Sequence, residues 1–138
     1  MKLLTPLLKK YPVFRVFAHP AAGSFPGESH YKEVLPPIET VEKLLPEFLE
    51  SQIVGLDGID VYYPGHSKKH RLLLLEWAKK YDLVVTGRSD YHDRVQRPIG
   101  IDGVTQEELK VLLHKIESMQ SMNSIIGTIT QRNRNRNY

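Results

Sequence analysis

Apolar residues fall into dense runs that stop at turn-forming residues, and each run is followed by apolar positions at helical spacing. "VFRVFAHP" at 13–20 is rich in β-branched and aromatic residues and ends at Pro20, which reads as a strand running into a loop. Gly23, Pro26, Gly27, Pro36 and Pro37 punctuate residues 20 to 37 as a long loop. Val41, Leu44, Leu45, Phe48 and Leu49 then recur at helical spacing, with Pro46 expected to kink or restart that helix because proline is tolerated only in a first turn. "GLDGIDVYYP" at 55–64 reads as turn, strand and stop. "HSKKHRLLLLEWAKKYD" reads as a helix capped by Ser67 and docked through Leu72, Leu75 and Ala78. "LVVTGRSD" is a third strand. Thr105-Gln106-Glu107-Glu108 has the form of a capping box, opening a last helix with an apolar stripe of Leu109, Leu112, Leu113 and Ile116.

Strand and helix therefore alternate three times, the pattern of parallel strands joined by helical crossovers. Residues 13–19, 58–63 and 83–89 are expected as adjacent parallel strands with helices covering one face. In such α/β folds function collects at the C-terminal strand ends. His19 follows the first strand, Tyr62 to His66 the second, and Asp90 with His92 the third, so the polar candidates share one rim. Asp90 and His92, two residues apart, project from the same side of a chain that is still extended.

Each candidate also has a plainer reading. His19 could be a hydrogen-bonded loop histidine, Asp90 and Ser89 could bond their own turn backbone, and His66 could be an exposed residue beside the Ser67 cap. His70 and His114 are assigned to helix surfaces, and Trp77 and Tyr81 to the core or its edge. With 138 residues the chain can bury a real core, and with no cysteine it holds neither a disulfide nor a thiolate site. The opening "MKLLTPLLKK" is too short an apolar run for a membrane span, and a cytoplasmic location is expected. The formal charge of +3 owes much to the terminal "QRNRNRNY", and residues 125–138 read as a polar, disordered tail. Nucleic-acid binding through that tail ranks behind the other readings.

"VFAHP", "GLDGIDVYYPGHS", "LLLLEWAKKYDLVVTGRSDYHD" and "IGIDGVTQEELKVLL" together resemble, in order over residues 3 to 116, the C-terminal part of the polymerase-and-histidinol-phosphatase (PHP) family of metal-dependent phosphoesterases. Arg88 departs from the small residue usual at its position, and Arg15 places a charge within the first strand. The resemblance implies a β/α barrel whose divalent metals activate a water for attack on a phosphate ester. It aligns His19, Asp90 and His92 with metal ligands, for which imidazole and carboxylate suit Zn, Mn or Fe. His66 and Ser89 are weaker candidates for substrate contact.

In the family, a His-x-His pair and further ligands lie on strands that would precede Met1. The expectation is therefore a partial barrel over residues 1–124, about three strand-helix units and not a closed barrel. Its ligands would be divided among different metals, so that the isolated chain binds metal weakly. The leading reading is a C-terminal fragment or subunit of a phosphoesterase acting on a nucleotide or small phosphorylated substrate, partnered by a missing barrel half or by itself. The alternative is a non-catalytic interaction or structural protein derived from the same fold.

Overall fold

The computed structural model describes residues 13–28, 31–50, 55–91, 95 and 98–134, with side chains through Ser121. Strands β1 (Val16–Phe17), β2 (Gly58–Tyr62) and β3 (Val84–Gly87) form an open three-stranded sheet in the order β1-β2-β3. Both pairings are parallel, as the alternation of strand and helix requires. β1 is shorter than its apolar run because only Val16 and Phe17 pair, with Gly58 and Ile59. Just before it, Arg15 turns to the "GLDG" corner. Its Nε donates to Asp57 Oδ2 at 2.9 Å, and its carbonyl accepts from the backbone of Asp57 and Gly58. The unexpected charge in the first strand thus fastens β1 to the start of β2.

Register decides which residues share a face. Asp60 pairs with Thr86 and Val16 with Gly58, so Val16, Asp60 and Thr86 lie on one side. Phe17, Ile59, Val61 and Val85 lie on the other, where they join the hydrophobic core. That core takes Leu74, Trp77 and Ala78 from helix α3 (Lys68–Lys80), and Ile38, Val41 and Leu45 from helix α2 (Ile38–Glu50). The segment from 20 to 37 is more than a loop. It holds a 3₁₀ turn (Ala22–Ser24) and a one-turn helix, α1 (Tyr31–Val34), and it buries Ala21, Ala22 and Phe25 in the core. Gly65 admits that packing, since a Cβ there would stand 2.5 Å from the Phe25 ring.

Several local expectations need correction. α2 begins at Ile38, where the backbone N–H donates to Ser24 Oγ at 2.9 Å, and it runs unbroken through Pro46. Pro46 and Glu42, whose carbonyl loses its helical partner, are both exposed, so water can satisfy that carbonyl. In α3 the Ser67 cap is present, its Oγ accepting from His70 N at 3.2 Å, but Leu72 points outward and Leu74 takes the docking position. The capping box of helix α4 (Gln106–Arg134) is complete, with Glu108 N donating to Thr105 Oγ1 and Thr105 N to Glu108 Oε2. α4 itself continues to Arg134. No proline interrupts the sequence from 105 to 134.

Candidate functional site

The three strands deliver their polar residues to one rim. His19 and Asp90, just beyond β1 and β3, both adopt left-handed backbone conformations, with φ of 33° and 48°. Such conformations are costly for residues with a Cβ, and they persist where surrounding contacts hold them. Tyr63, at the end of β2, lies between the two. Its ring centroid is 5.3 Å from that of His19, and its hydroxyl donates to Asp90 Oδ2 at 2.7 Å. The phenol is 1% exposed, so Asp90 is oriented by a buried group.

Asp60 is the principal residue that the sequence reading missed. It is 2% exposed, on the sheet face opposite Ile59 and Val61, and it accepts from Arg88 Nε at 3.0 Å. Longer contacts come from the His19 backbone N–H at 3.4 Å and Thr86 Oγ1 at 3.5 Å. Arg88 reaches on to Asp90, with Nη1 3.7 Å from Oδ1, and its Cζ stands 5.9 Å from the Tyr63 ring centroid. One guanidinium therefore links the buried carboxylate of β2 to the rim carboxylate after β3. Val16, Ala18, Asp60, Thr86, Gly87 and Arg88 line a cleft of about 250 Å³ on this face. The signal in the sequence was a pair of charges, Asp60 inside an apolar strand and Arg88 at the end of another.

His66 is not the exposed neighbour of a helix cap. It is 4% exposed, and its Nδ1 lies 2.8 Å from the Val61 carbonyl oxygen, which makes Nδ1 the protonated nitrogen. Nε2 is buried and has no hydrogen-bond partner among the described residues, and the ring packs against Phe25 and Tyr63. Burial pushes its pKa below the ordinary histidine value despite the opposing Val61 bond. His70 is half-buried, not a surface residue, and its pKa is lowered first by burial and then by Lys69. Arg71 ties the same corner together, donating to the Tyr63 and His66 carbonyls and pairing with Asp102 in the approach to α4. Tyr62 bonds Glu108 Oε1 at 3.0 Å; burial and that carboxylate raise its pKa.

Of the residues expected at the rim, His19 and Asp90 are there, and Ser89 lies half-buried between Arg88 and Asp90. His92 lies outside the described residues. Among the described residues no group of three or more His, Cys, Asp or Glu side chains could hold a metal ion. The groups in place among the described residues do not fit a divalent centre, because the Arg88 guanidinium pairs with both Asp60 and Asp90. No described helix is long and apolar enough to cross a membrane.

No family model matches the chain. Over 54 residues it is 41% identical to a phosphoribosyl 1,2-cyclic phosphate 1,2-diphosphodiesterase of Eggerthella lenta, a match covering 39% of this chain and 20% of the relative. The matched stretch thus amounts to about a fifth of that relative's length. A crystal structure from Bifidobacterium adolescentis, described as that of a metal-dependent phosphoesterase, aligns with a TM-score of 0.47 at 28% identity, covering 71% of this chain and 30% of the other. In sequence, the chain is thus similar to a cyclic-phosphate diphosphodiesterase over a little more than a third of its own length.

Proposed function

We propose that this chain forms the C-terminal strand-end rim of a phosphoester hydrolase, acting with groups from outside the described residues. The observation carrying this reading is the convergence of His19, Asp60 and Asp90 from three successive parallel strands onto one edge of the sheet. The 41% identity to a cyclic-phosphate diphosphodiesterase supports a phosphate ester as substrate, either a nucleotide or a small phosphorylated molecule. In the reaction, water adds to phosphorus, the P–O ester bond breaks and a proton reaches the departing oxygen. His19, an imidazole at the rim, is the residue here suited to proton transfer. The metal-activated water that the PHP resemblance implies would need ligands from beyond the described residues.

Arg88 favours the alternative, a non-catalytic interaction or structural protein derived from the same fold, because it pairs with both rim carboxylates. Turnover of bis(4-nitrophenyl) phosphate with Mn²⁺ separates the two readings. The chain is assayed alone and mixed with the part of the E. lenta relative that lies outside the match. The hydrolase reading expects turnover in the mixture and its loss with His19→Ala; no turnover in either sample supports the non-catalytic protein.

A further inference from the structure

We propose that Arg88 is a built-in counter-ion that closes this rim to divalent cations, taking the place that a metal would need between Asp60 and Asp90. Asp60 is buried to 2% exposure, and a carboxylate so placed requires a cationic partner. Its other donors among the described residues stand at 3.4 and 3.5 Å, whereas Arg88 Nε is at 3.0 Å. The same side chain extends Nη1 towards Asp90. Its root is fixed as well, since the Arg88 backbone N–H donates to the Tyr62 carbonyl at 2.9 Å, prolonging the β2–β3 ladder by one bond.

The guanidinium therefore starts from an anchored Cα and meets both carboxylates with different nitrogens, a geometry that a planar fork supplies and a single ammonium does not. Two aspartates and one arginine leave a single net negative charge. A divalent ion entering there must approach a fixed positive charge and compete with hydrogen bonds already made. Tyr63 adds to the closure by holding Asp90 Oδ2 at 2.7 Å, which engages the other oxygen of the rim carboxylate. Arg88 is thus a positioning residue, fixing two carboxylates with respect to each other.

The proposal takes the rim as the chain's site but does not depend on hydrolysis, because its readout is metal binding alone. The turnover assay can fail while this test succeeds, and the reverse. The full chain is titrated with Mn²⁺, following the loss of the free-ion paramagnetic signal. Wild type is expected to show no stoichiometric site dependent on Asp90. Arg88→Gln is expected to bind Mn²⁺ at least about tenfold more tightly, as removal of one adjacent positive charge predicts. That gain should disappear when Asp90→Asn is added, and Arg88→Lys, which keeps the charge, should show little of it. Stoichiometric binding by wild type that is lost with Asp90→Asn overturns the proposal, as do equal affinities in wild type and a folded Arg88→Gln. If Arg88→Gln does not fold, the wild-type titration and its Asp90→Asn control decide alone.

Discussion

The Tyr63 hydroxyl donates to Asp90 Oδ2 at 2.7 Å, joining the end of the central strand to the turn after its neighbour across 27 residues of sequence. The donor is buried and the acceptor is an aspartate held at a positive φ. Tyr63→Phe removes the donor and keeps the ring that packs on Phe25 and His66. A hydrogen bond to a charged acceptor predicts a loss of about 1.5–3 kcal/mol. In urea unfolding the midpoint should fall with an unchanged slope. An unchanged midpoint would mean that Asp90 is held by its other contacts.

The sheet was legible because its signals are local. Apolar runs bounded by Gly and Pro placed all three strands, and Ser67 and Thr105 marked two helix starts that their hydrogen bonds bear out. Asp60 was not legible. Inside "GIDVYY" it looks like the polar position of an ordinary strand, and its partner Arg88 lies 28 residues away. Alternation puts it on the face away from Ile59 and Val61, but its burial there depends on Thr86 and Arg88, which only the pairing of β2 with β3 brings beside it. The error at Leu72 has the same origin. Four consecutive leucines offer several helical stripes, and the fold chose the one containing Leu74, Trp77 and Ala78. His66 was misjudged because the burial of a residue after "YYPG" depends on Phe25, which arrives from a segment read as loop.

His66 gives the fold a pH dependence of definite sign. Its pKa in the folded chain lies below the ordinary 6.5, chiefly through burial. Below that unfolded value the unfolded chain binds more protons than the folded one, so stability is full above about pH 6.5 and falls as the pH drops. The decline ends once the pH passes below the folded pKa. His70, shifted the same way, contributes in the same window. Urea midpoints measured between pH 7.5 and 5 should decrease, and His66→Gln should shallow the slope without removing it. A slope identical in wild type and His66→Gln would assign the effect elsewhere.

Arg71 is a second fastening whose loss can be measured apart from the rim. It donates to the Tyr63 carbonyl at 3.2 Å and the His66 carbonyl at 3.3 Å, and it pairs with Asp102. Replacing it with alanine strips donors from two carbonyls and a cation from a carboxylate that is 11% exposed. With the arginine itself about a third exposed, solvent screens part of the charge, and a loss of about 1–2 kcal/mol is expected. Arg71→Lys should recover little, because an ammonium cannot reach three acceptors in the plane of a fork. Thermal unfolding of both variants checks this, and full recovery by lysine would reduce the role of Arg71 to its charge.

The open sheet face leads to an expectation about association. β1 is an edge strand of two residues, Val16 is 39% exposed on it, and Val16 and Ala18 border the cleft that contains Asp60 and Arg88. On the opposite face helices α2 and α3 and the 20–37 segment contribute side chains to the core. Among the described residues no strand pairs with the outer edge of β1, and such an edge offers backbone donors and acceptors to another strand, while a partly apolar face beside it favours burial. We therefore expect the purified chain to self-associate through the β1 edge, with dimers in sedimentation velocity at tens of micromolar. Val16→Lys places a charge on that edge and should shift the distribution to monomer while leaving the far-ultraviolet circular dichroism unchanged. Because Val16 lies outside the hydrophobic core, the substitution tests the edge and spares the fold. A wild-type chain that sediments as a monomer throughout, or a Val16→Lys variant that dimerises as wild type does, would show that this edge is not the contact.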